Sequence, residues 1–248
     1  MATQIDFLAS LLLGILPALG LLWLSLRGYD RPRFDHTLFD DRRVFGNLAA
    51  GMVFGVFASV LSLLTPRADL VSFLLGLVAA FALEETFKVV MLNRKSYRGR
   101  FDTTFYGIPL GVGTASTAVV ASAYWNAAYF GNLFVPEILA GLALFSVSLN
   151  LVHVGSGAII AFGASRGETW GPLARSLLVR VAHGLLLVPF FLSAPNPWSL
   201  LSVAGSIVFS LVVYEYVRQV LLPGTLPEEL ARKGRRARRR TRRLTDRG

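Results

Sequence analysis

Cysteine is absent from the 248 residues, which excludes disulfides, thiolate metal sites and a cysteine nucleophile and leaves any metal to His and carboxylate ligands. Charge is scarce too. Asp, Glu, Lys and Arg together make 16% of the chain, and there are three histidines. Acid is the rarer sign, 15 residues against 25 basic ones, for a net charge of +10. Apolar residues make up 54% of the chain. They recur in runs of roughly 20 residues, each able to cross about 30 Å of hydrocarbon as a helix. Composition therefore places the chain in the membrane class, without a large soluble core.

Apolar runs bounded by charge or by Pro and Gly predict seven helices, near 5–26, 44–64, 69–92, 102–124, 135–165, 172–192 and 197–220. The fold class expected is an all-α polytopic bundle occupying 1–222, followed by an Arg-rich disordered tail over 223–248. The fifth run is long for one span and contains Gly155, Ser156 and Gly157, so a steep tilt, a kink or a break near Asn150 to His153 is expected within a single crossing. Basic residues alternate between connections. Arg27, Arg31, Arg33, Arg42 and Arg43 lie in the first, Arg94, Lys95, Arg98 and Arg100 in the third, Arg166 with nearby Arg175 in the fifth, and only Arg67 in the second. The positive-inside rule then puts the N-terminus outside and the C-terminus in the cytoplasm of a multi-pass cell-membrane protein. No basic segment precedes the first run, which reads as a retained helix. The tail from Arg232 to Arg243 suits anionic lipid headgroups, at about 1 kcal/mol per basic residue near the surface. Nucleic acid is the lesser reading of the same run, since no aromatic or folded module accompanies it.

The third run carries Glu84, Glu85 and Lys88 inside otherwise apolar sequence. A carboxylate at membrane depth costs about 2.5–3.5 kcal/mol on insertion scales, so such groups are paired, turned toward a protein-lined cavity, and functional by default. At 1.5 Å per residue, the two glutamates lie about 10–13 Å from the cytoplasmic end, His153 about 18 Å and His183 about 16 Å. Facing one another, they would form one polar layer. Lys88 is within one turn of both carboxylates and can hold one as an anion while the other serves as a base near neutral pH. His153 or His183 could then donate to an oxyanion or a leaving amine. Alternatively, Glu85, His153 and His183 could form a zinc first shell with one position left for water. Asn150 and Thr114 are supporting hydrogen-bond candidates, Arg180 is a candidate partner for an acid, and Glu215 pairs with Arg218. A purely structural ion pair, or a gating element in a transporter, is the competing use of the triplet.

Glu84-Glu85-Thr86-Phe87-Lys88, then Asp102, Tyr106-Gly107 and Gly111-Val112-Gly113, then His153 with Gly157, then His183-Gly184 resemble, in order, the motifs of the PrsW-type intramembrane proteases, relatives of the CAAX-prenyl protease and bacteriocin-processing group. The resemblance implies an intramembrane endopeptidase in regulated proteolysis, acting on integral membrane proteins or hydrophobic peptide ends through Glu84, Glu85, His153 and His183. It departs at one motif. The family usually carries Phe-x-x-x-Glu-Asn after the glycines, whereas Thr114, Ala118 and Val119 stand here, and no Asp or Glu occurs between Thr103 and Pro136. The departure leaves two readings within the family: a variant that manages with the remaining groups, or a non-catalytic relative that binds other membrane proteins.

Overall fold

A computed structural model describes residues 3–29, 37–64, 69–130, 133–192, 196–230 and 232. Seven long helices account for almost all of them: α1 (Gln4–Leu26), α2 (Asp41–Leu64), α3 (Leu70–Leu92), α4 (Thr103–Phe130), α5 (Pro136–Ser165), α6 (Trp170–Leu192) and α7 (Pro197–Tyr216). A π turn (Val217–Leu221) prolongs α7 into a short α8 (Leu222–Thr225), so regular helix passes residue 222. No strand occurs among the described residues. All seven long helices are apolar enough to cross a membrane, and the protein is an all-α polytopic bundle of the membrane class. Most of the Arg-rich tail lies outside the described residues.

The helices divide by burial. About three quarters of the central windows of α4 and α5 is buried (78% and 72%), against 22–33% for the other five. Those five wrap the central pair and present Leu12, Leu16, Val53, Phe57, Leu201 and Val208 outward. Apolar side chains over that much surface would be an aggregation hazard in water and are ordinary against lipid tails. Lipid is as apolar as leucine, so close packing rather than hydrophobic transfer holds such helices together. Glycine permits it here: a Cβ on Gly111 would lie 2.1 Å from the His153 carbonyl oxygen, and one on Gly157 would lie 2.2 Å from that of Gly107. These contacts seat α4 directly on the stretch of α5 that carries His153. Gly155 and Gly157 therefore serve packing, and α5 runs unbroken through Asn150 to His153, without the split the sequence allowed.

The three basic connections meet at one end of the bundle. Arg43 donates to the Ser96 carbonyl at 3.2 Å, Arg98 donates to that of Gly167 at 2.9 Å, and the Gly99 amide donates to the Ala164 carbonyl at 2.9 Å. Tyr106, from the first turn of α4, donates to Asp102 and accepts from the Asp40 amide. Successive crossings alternate in direction, as the distribution of Arg and Lys requires.

Candidate functional site

Late in α3, at the level where α5 and α6 pass it, Glu84, Glu85 and Lys88 turn inward, all three buried. Glu85 is fully engaged. Its Oε1 accepts from Lys88 Nζ at 2.6 Å, with Arg180 Nε at 3.5 Å, and its Oε2 accepts from Ser176 Oγ at 2.5 Å. Lys88 also donates to Ser156 Oγ at 2.6 Å and approaches His153 Nδ1 at 3.4 Å. With Lys88 Nζ as the donor to Nδ1, the imidazole proton sits on Nε2, which lies 3.6 Å from Glu84 Oε2.

Glu84 is placed differently. Its Oε2 accepts from Arg180 Nη2 at 2.7 Å, while Oε1 takes no hydrogen bond among the described residues. Arg180 lies over the Phe81 ring, 4.4 Å from its centroid, and Gly184 makes room for that ring: a Cβ there would be 2.3 Å from Phe81 Cε2. The glycine of the His-Gly pair thus fixes the aromatic floor under the arginine. Two anions and two cations share the cluster, which satisfies the rule that buried charge must be paired and hydrogen-bonded.

Glu84, His153 and Arg180 form the floor of a cavity of about 840 Å³. Its walls follow Phe81, Leu77 and Phe73 back along α3, Ala118 to Asn126 along α4, and Phe145 and Phe190 on α5 and α6. Its lining continues to Ser59 and Ser62 of α2, Trp125 of α4 and Leu192 of α6, toward the end of the bundle opposite the basic loops. On the basic side, the stacked rings of Phe54 and Phe87, 3.9 Å between centroids, close the gap between α2 and α3. Ala118 lines this cavity, so the wall there is apolar.

The structure separates His183 from the carboxylates. Its Nε2 is 2.8 Å from Ser148 Oγ, which is 2.7 Å from Ser206 Oγ, and its Nδ1 is buried without a partner among the described residues. His183 lies one turn beyond Arg180 on α6 and faces a hydroxyl cluster between α5 and α7, outside the cavity lining. Equal depth did not give equal direction. Asn150 donates to the Ser146 carbonyl at 2.9 Å, and Thr114 donates to that of Leu110 at 3.1 Å. Both are bound to their own helices, and neither supports the Glu84 cluster. Ser176 and Ser156, which do, are ordinary residues for membrane helices and carried no signal in the sequence; Arg180 did, as a basic residue inside an apolar run.

The donor set does not fit a zinc ion on Glu85, His153 and His183. Both oxygens of Glu85 are taken, His153 Nδ1 faces an ammonium, His183 Nε2 faces Ser148, and Lys88 and Arg180 supply the positive charge a metal would bring. Among the described residues no group of three or more His, Asp or Glu side chains converges as metal ligands. No family model matches the chain, and neither a curated protein nor a solved structure does.

Proposed function

We propose that the protein is an intramembrane peptide hydrolase of the cell membrane, using Glu84 to activate water against a peptide bond of a membrane-embedded protein. The observation that carries the proposal is the asymmetry of the two glutamates. Glu85 is saturated by Lys88, Ser176 and Arg180, whereas Glu84 keeps one oxygen free at the floor of an apolar cavity. Glu85 is thus the structural anion and Glu84 the base. A water donating to Glu84 Oε1 attacks the carbonyl carbon and its proton passes to the carboxylate. Glu84 then hands that proton to the departing amine, and His153, with its Nε2 3.6 Å from Glu84 Oε2, orients the carboxylate. The substrate must enter unwound, because a helical peptide bond is shielded by its own turn. Non-helical backbone is tolerated at membrane depth only within protein or a wet cavity, and Ser59, Ser122 and Asn126 in the lining give an extended segment polar partners.

The test is co-expression with single-span membrane proteins. Glu84→Gln lowers cleavage about 100-fold or more, as loss of a general base does; cleavage that survives it sinks the proposal. A second reading, a non-catalytic protein that shelters membrane segments in the same cavity, draws on Ala118, an apolar lining residue where the resembled family carries its second glutamate.

A further inference from the structure

Arg180 is 1% exposed, yet among the described residues only its Nη2 makes a hydrogen bond, the one to Glu84. Nη1 and Nε are buried without hydrogen-bond partners among the described residues, although Nε has Glu85 Oε1 at 3.5 Å. A buried, unsatisfied guanidinium donor is costly. This one belongs to a residue that lines the cavity, next to the proposed base. We infer that Arg180 Nη1 is the donor that receives the substrate's carbonyl oxygen and holds it as it becomes an oxyanion. The inference rests on the hydrolytic reading and adds an electrophilic residue to it.

Charge balance supports this role. Before attack, the cluster holds Glu84 and Glu85 as anions and Lys88 and Arg180 as cations. As the water oxygen bonds to the carbonyl carbon, its proton goes to Glu84 and the π pair of the carbonyl moves onto oxygen. One negative charge has left Glu84 and one has appeared on the substrate, so the cluster remains neutral. Arg180 is in contact with both ends of that transfer, through Nη2 to the carboxylate that loses the charge and through Nη1 to the oxygen that gains it. The Phe81 ring beneath it holds the guanidinium plane, so little reorganisation is needed when the charge develops. Donors fixed in this way, away from water, are among the larger contributions an enzyme makes. Collapse of the intermediate re-forms the carbonyl, breaks the C–N bond and returns the proton from Glu84 to the amine.

The experiment measures binding, so it does not depend on turnover. The full-length protein in lipid nanodiscs is titrated with a hydrophobic peptide in which one amide is replaced by a phosphinate, a stable tetrahedral anion, and with its amide parent. The wild type should prefer the phosphinate by about 100-fold, as transition-state analogues are preferred over substrates. Arg180→Lys keeps the charge but lacks the second nitrogen, and, measured on folded protein, should reduce that preference about tenfold or more. Glu84→Gln, a mimic of the protonated base, should abolish cleavage yet retain the preference. If the preference survives in both Arg180→Lys and Arg180→Gln, the role of Nη1 is overturned and the hydrolytic reading stands. If the wild type binds both peptides equally, or binds neither, the hydrolytic reading falls along with the inference.

Discussion

Glu85 and Lys88 have fully buried side chains 2.6 Å apart, and their value is best seen by breaking the pair. Removing one partner of a buried ion pair leaves the other charged and unpaired, at about 3–5 kcal/mol, whereas removing both is close to neutral. Glu85→Gln alone should therefore sharply lower the midpoint of thermal unfolding in detergent, and adding Lys88→Met should recover most of the loss. His183 makes the contrasting case. Its contacts are Ser148 and the neighbouring hydroxyls, so His183→Ala should cost about 1–3 kcal/mol of stability from hydroxyls left unpaired while cleavage per folded molecule stays at the wild-type level; a catalytic collapse in a well-folded His183→Ala would return it to the active site. The sequence made Glu84, Glu85, Lys88 and His153 legible because each is an expensive exception in an apolar run. It could not separate His183 from them, since depth follows from counting residues but rotation about the axis does not. Arg180 stands one turn away on the same helix and takes the position that depth alone assigned to the histidine.

At the scale of the helices, the site depends on how closely α3 and α6 approach each other. Gly184 admits the Phe81 ring, and that ring carries Arg180. A methyl group at position 184 would lie 2.3 Å from the ring carbon, so Gly184→Ala must displace Phe81. It should cost about 1–3 kcal/mol, as overpacking does, and should lower cleavage beyond that loss of folded protein, because the arginine loses its platform. Smaller side chains at Phe81 should relieve the clash, and Gly184→Ala with Phe81→Leu should refold better than Gly184→Ala alone. Helix number and approximate bounds were readable from hydropathy. Helix α4 nevertheless runs to Phe130, past the expected end near 124, because Tyr124, Trp125 and Tyr129 continue the helix where the strictly apolar run stops. Such aromatic residues concentrate at membrane interfaces, where hydropathy falls before helicity does. The glycines of α5 allowed a tilt, a kink or a split; the helix runs through them without a split, and Gly157 lets α4 pack close while Gly155 admits Val213 of α7.

Across the whole molecule, the site is asymmetric between the two faces of the membrane. The basic connections gather at one end, and the cavity above Glu84 extends toward the other, lined there by Trp125 and Asn126. If the positive-inside rule sets the orientation, the Glu84 layer sits in the cytoplasmic half and its cavity extends toward the opposite half. The absence of cysteine makes this directly measurable, since any single introduced thiol is the only one in the protein. A membrane-impermeant maleimide should label Asn126→Cys in intact cells and Ser96→Cys, in the α3–α4 connection, only after the cells are opened. A hydrophobic peptide that occupies the cavity should protect Asn126→Cys and leave Ser96→Cys unaffected. The reverse labelling pattern would invert the topology and put the Trp125 end of the cavity on the cytoplasmic side, opposite the basic connections and Thr225, which bonds Thr104 and Phe101 beside them.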